Sequence, residues 1–119
     1  MKDNIKRLRT RDVQDTIDLI GGRWRGAIMA SLCGSPKRFS EIKVDLEPIT
    51  ARVLTKELRY LETNKMIERL EGNIANNSVQ YITTEHGKSI EPLIIHIQEW
   101  ALTHRETLLH KNKDKDNNL

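Results

Sequence analysis

Arg52, Lys56 and Arg59 stand four and three residues apart, with Thr50 and Thr55 beside them. On a helix that spacing puts the three cations on one face. Arginine and lysine side chains donate to guanine edges or to phosphate oxygens, and threonine hydroxyls make short hydrogen bonds beside them. The chemistry on offer is recognition of a polyanion with readable edges, duplex DNA, rather than bond-making. The competing reading is an ordinary solvated face whose cations pair with Glu57 and Glu62. The surrounding elements decide between the two.

Other reactive residue types form no constellation. His86, His96, His104 and His110 lack the spacing of metal ligands. Gly21, Gly22 and Gly26 lack the Gly-Lys-Ser/Thr ending of a phosphate loop and follow a helix rather than a strand, so they read as a helix break. No nucleophile, base and orienting group stand in a recognisable order. The sequence therefore predicts no enzyme, no cofactor and no metal. Trp24 and Trp100 read as packing residues rather than ligand stackers. Cys33, the single cysteine, cannot form an internal disulfide and suits a reducing cytoplasm. It closes an apolar helix and reads as a small buried hydrophobe.

The elements that would position the cationic face follow from periodicity and punctuation. A first helix is expected over about 12–20, with Asp12 as N-cap and Val13, Ile17 and Ile20 on one face. After the glycines, a second helix over 24–32 carries Trp24, Ile28 and Leu32. Lys37, Arg38 and Phe39 form a short extended piece. Ser40 is the expected N-cap of a short helix with Ile42 and Leu46 inward. Glu47-Pro48 makes a tight turn, and Thr50 caps the clearest helix, about 51–62, with Leu54, Leu58 and Leu61 inward. Two strands follow within about 67–83, with a loop from Glu71 to Ser78 between them. Thr84 caps a last helix running to about 109, kinked or divided by Pro92. Its apolar residues Ile90, Leu93, Ile94, Ile97, Trp100, Ala101 and Leu108 form a heptad-like stripe.

Two helices joined by a tight turn and followed by a hairpin make a helix-turn-helix with a wing. The fold class expected is mainly α with a small antiparallel β wing. The chain of 119 residues carries a net charge of +3. Its length suits one domain, taken as 1–110, with a polar, disordered tail at 111–119. No run approaches the length of a membrane helix, and the basic start has no apolar leader core. A cytoplasmic protein without a membrane partner is expected.

Several runs together resemble the HxlR-type regulators within the MarR-like winged-helix proteins. They are residues 16–24, ending Gly21-Gly22-Arg23-Trp24; Lys37 to Ile42; and Ile49-Thr50 with Leu54, Leu58 and Leu61-Glu62. Tyr81, Thr83 and Gly87 come next, then Trp100. The likeness spans roughly residues 11–100. It implies a homodimeric repressor or activator whose first and last helices form much of the dimer interface. Where the family often has Cys-Pro before the first helix, this chain has Arg11 and Asp12, so thiol sensing there is excluded. Glu47-Pro48-Ile49 also departs from the usual glycine before the isoleucine. The wing tip carries no positive charge.

The resulting expectations are specific. The DNA contacts are Lys37, Arg38, Ser40, Thr50, Arg52, Thr55, Lys56, Arg59, Arg69, Asn76 and Asn77. The helix at about 50–62 enters the major groove of a pseudo-palindromic operator. Val13, Ile17, Ile94, Ile97, Trp100, Ala101 and Leu108 join two copies. A small-molecule effector at that interface is compatible with this reading. A winged-helix module that docks on another protein without reading DNA is the alternative.

Overall fold

A computed structural model describes residues 8–72 and 78–117, with side chains described as far as His110. Its elements are α1 (Thr10–Ile20), α2 (Arg25–Leu32), β1 (Lys37–Arg38), α3 (Phe39–Asp45), α4 (Ala51–Thr63), β2 (Ile67–Glu71), β3 (Val79–Thr83), α5 (Glu85–Lys88) and α6 (Glu91–Asn117). The sheet is antiparallel in the order β1-β3-β2. Ile67 pairs with Thr83 and Arg69 with Tyr81, while Lys37 pairs with Tyr81 from the other edge. This is the mainly helical winged fold that the sequence pattern leads to.

One core holds the helix-turn-helix together. Ile28, Met29 and Leu32 of α2 meet Ile42 of α3, and Leu46 and Ile49 of the turn meet Leu54, Leu58 and Leu61 of α4, with Met66 and Ile67 closing the base. All are buried. The leucines recur at intervals of four and three because only that stripe of α4 can face inward. The turn between α3 and α4 contains a cis Glu47–Pro48 peptide. Gly22 turns the chain between α1 and α2 in the left-handed region at φ 69°, where a side chain would be strained. At Gly87 the need is spatial: a Cβ would overlap the Met66 carbonyl oxygen. That close approach lets the Thr84 hydroxyl donate to the Lys65 carbonyl oxygen at 2.6 Å.

Several boundaries differ from the sequence expectation. α1 begins at Thr10 with Arg9 in the cap position, so Asp12 lies in the first turn instead of capping. There its charge still suits the helix dipole. α3 begins at Phe39, so Ser40 is inside the helix and not its N-cap. The Glu41 carboxylate accepts from the Arg38 backbone N–H at 2.9 Å. That is half of a capping box and moves the start back by two residues. Arginine has no acceptor to supply the other half. The last helix divides ahead of Pro92, which occupies the first turn of α6, where no backbone donor is lost. α6 then continues to Asn117, past the expected end near 109. Beyond Pro92 it meets no proline or glycine.

Candidate nucleic-acid interface

α4 is divided lengthwise into three strips. Leu54, Leu58 and Leu61 are buried. Val53, Glu57 and Tyr60 are half-buried on one flank, while Arg52, Lys56 and Arg59 are exposed opposite the leucines. Helical spacing alone produces this order once the leucines face in. Thr50 caps the helix as expected, its Oγ1 accepting from the Val53 N–H at 3.2 Å. Thr55 Oγ1 donates to the Ala51 carbonyl oxygen at 2.8 Å, so its hydroxyl oxygen remains an acceptor. Ala51, Arg52, Thr55, Lys56 and Arg59 together line a shallow depression along the exposed strip.

Of the two counter-ions expected for a bland solvated face, Glu57 is taken by another partner. Glu57 accepts from Arg25 Nε at 2.8 Å. The Arg25 guanidinium lies over the Tyr60 ring, 3.4 Å from its centroid. Glu62 lies near Tyr81. Among the described residues, the ion pairs include none with Arg52, Lys56 or Arg59.

The other expected contacts fall into separate groups. Arg38 and Ser40 are exposed at the start of α3. Lys37 is half-buried, and its ammonium donates to Asp45 and to Ser31 Oγ, the latter at 3.4 Å. Its charge is therefore matched within the fold. Hydrogen bonds from Lys37 and Ser31 hold the Asp45 carboxyl below its ordinary range. Arg69 is exposed on β2, cross-strand from Tyr81. Burial pushes the Tyr81 hydroxyl pKa up, while the nearby Arg69 and Arg59 charges pull it down. Tyr81 thus marks the junction where α4 and the wing bring two cations close. Asn76 and Asn77 lie outside the described residues.

The expected dimer residues form a different surface. Val13 and Ile17 are exposed on α1, and Ile97, Trp100 and Leu108 on α6, with Trp100 66% accessible. Ile94 and Ala101 are half-buried, Ile94 against the core. An apolar groove of about 490 Å³ runs between α2 and α6, lined by Ala27, Ala30, Ile94, Ile97, Ala101 and Leu102 among others. The Trp100 ring stacks on His104 with centroids 4.8 Å apart. Trp24, by contrast, packs on the core as expected, with Arg23 over its ring.

Cys33 is partly buried at the end of α2, and burial followed by the nearby Glu91 carboxylate raises its thiol pKa. Arg25, Glu57, Tyr60 and Tyr81 were not signalled as site residues by sequence spacing, because their partners are distant in the chain. Among the described residues no group of three metal-ligating side chains occurs. No helix there is long and apolar enough to cross a membrane.

A helix-turn-helix with a hairpin wing, its second helix anchored by leucines and presenting cations outward, defines the class of winged-helix transcription regulators. The pattern of the HxlR-like helix-turn-helix family matches residues 19–108, and the chain belongs to that family. It is 35% identical over 96 residues to the HTH-type transcriptional regulator YdeP of Bacillus subtilis, covering 81% of this chain and 75% of that protein. Among solved structures, the redox regulator HypR in its reduced form superimposes with a TM-score of 0.77 at 33% identity, over 83% of this chain and 98% of that one. Reduced YodB from B. subtilis gives 0.71 at 31% identity, over 79% and 92%. These relatives are transcriptional regulators and not enzymes.

Proposed function

We propose that this regulator binds duplex DNA sequence-specifically as a homodimer, with α4 of each copy in a major groove. The observation that carries the reading is the exposed strip of Arg52, Lys56 and Arg59. These cations lie on a helix anchored by its buried leucines, and the Glu57 carboxylate on its flank is engaged by Arg25. Arg52, in the first turn of α4, is placed for a base contact, because the N-terminal residues of a recognition helix reach base edges. Arg38, Ser40, Thr50 and Arg69 flank it for phosphate contact, with β2 and β3 alongside. Lys37 acts instead through its tie to Asp45. The second copy covers the exposed apolar residues of α1 and α6 and the groove beside them. The two-fold then sets the half-sites one helical turn, roughly 10 bp, or a multiple of it apart.

The test is fluorescence anisotropy on a duplex selected by the wild-type protein and on its scrambled counterpart, at several salt concentrations. Arg52→Ala costs about 1–3 kcal/mol on the selected duplex and relaxes preference at one position per half-site. Arg38→Ala weakens both duplexes alike and flattens the salt dependence, since fewer counterions are released. Wild-type affinity for both Arg52→Ala and Lys56→Ala would remove α4 as the reading helix.

A further inference from the structure

Arg25, the first residue of α2, bonds both to α1 and to α4. One guanidinium nitrogen donates to the Asp18 carbonyl oxygen at 2.8 Å, satisfying one of the carbonyls left open at the end of α1. Its Nε donates to Glu57 on α4, also at 2.8 Å. The plane of the group lies on Tyr60, one turn further along α4. The Arg25 and Glu57 side chains are only 25% and 14% exposed. The pair is therefore less screened than a surface salt bridge, and arginine's rigid fork fixes direction as well as distance. Arg25 follows directly on the Gly21–Trp24 turn, so the same side chain that closes α1 also grips the flank of α4.

We infer that Arg25 is a positioning residue that sets the orientation of α4 relative to α1, and so the separation of the two recognition helices in the dimer. This rests on the dimeric DNA-binding reading above. α1 carries part of the proposed interface through Val13 and Ile17. α4 carries the proposed base contacts through Arg52 and Lys56. A rigid link between them makes the spacing of the two half-sites a property of the dimer and not of each subunit. Lysine cannot replace it, because a single ammonium has no plane to lie on Tyr60 while bonding two acceptors in fixed directions.

The test is parallel selection of binding sites from a random duplex pool by full-length wild type, Arg25→Ala, Arg25→Lys and Glu57→Gln, read by sequencing. Wild type returns paired half-sites at one dominant spacing. Arg25→Ala and Arg25→Lys return the same half-site sequence with that dominance lost across neighbouring spacings, each base pair of which displaces a half-site by about 3.4 Å and turns it by about 35°. Glu57→Gln, which keeps the bond to Asp18 and the shape of the flank, broadens the spacing less. Should the arginine variants fail to fold, the Glu57→Gln distribution decides alone. A merely structural role would lower the yield of bound duplex without changing its spacing. A single unchanged spacing in every folded variant overturns the inference. Wild type returning isolated half-sites overturns the dimeric reading itself, and the inference with it.

Discussion

α4 and α6 both carry many apolar residues, yet they finish with opposite surfaces. In α4 every apolar residue that the spacing turns inward finds a partner inside the monomer, and apart from Ala51 the exposed residues are cations and a threonine. In α6 the reverse holds. Ile95, Ile97, Trp100, Leu102, Leu108 and Leu109 are each about half accessible or more. Monomeric proteins rarely leave so many large apolar side chains along one helix uncovered. The difference teaches that an apolar stripe states a demand for burial without saying which molecule meets it. α4 meets that demand within the monomer, and α6 leaves it open.

The sharpest way to break this contrast is to damage both helices. Leu58→Ala, with Leu58 1% exposed, costs about 2–5 kcal/mol in denaturant unfolding because it opens a cavity in the one core. Ile97→Asp and Trp100→Glu leave the helical circular dichroism of the subunit in place and shift sedimentation from dimer to monomer. If the wild-type chain sediments as a clean monomer at micromolar concentration, the apolar face of α6 is not a dimer surface.

A smaller effect tests the polar ties within the DNA-binding half. Lys37 and Ser31 hold the Asp45 pKa below its ordinary value of 3.8. A carboxyl depressed on folding contributes stability above its unfolded value, and that contribution fades as pH falls through the lower folded one. The stability difference between wild type and Asp45→Asn is therefore full near neutrality and shrinks as pH falls below the ordinary carboxylate range. Denaturant titrations over that pH range check it, and a difference that grows on acidification would contradict the assignment.

The smallest effect is expected at the end of α2. Cys33 lies close to Glu91 at the base of α6, and its raised pKa keeps it a thiol at neutral pH. Cys33→Ala costs modest stability and leaves DNA affinity unchanged in the same anisotropy assay. Oxidant release of wild type from DNA, absent in Cys33→Ala, would make this residue a sensor.

Much of the fold was legible because periodicity and caps are local. Thr50, the leucines of α4, the paired strands and the division at Pro92 all follow from neighbours within one or two turns. The start of α3 was misplaced because serine is a strong N-cap in isolation. Here Glu41 reaches back to the Arg38 amide and draws the helix start to Phe39. At the candidate site, residue types and spacing identified the outer strip of α4. They did not reveal that Lys37 is occupied by Asp45 or that Arg25 crosses to Glu57. Those partners are 8 and 32 residues apart, and only packing brings them together.

The pairing of β1 with β3 has a consequence for how the molecule opens. Lys37 and Tyr81 close a loop that contains α3, the turn, α4 and β2. Helix-turn-helix and wing are thereby one closed segment and not two modules in series. Such a segment exchanges its protected amides as a unit, because releasing the short strand frees the wing and the base of the helices together. It also forms late in folding, since the loop must close before its two ends can reward each other. Native-state hydrogen exchange should accordingly give the α4 and β3 amides one common opening free energy.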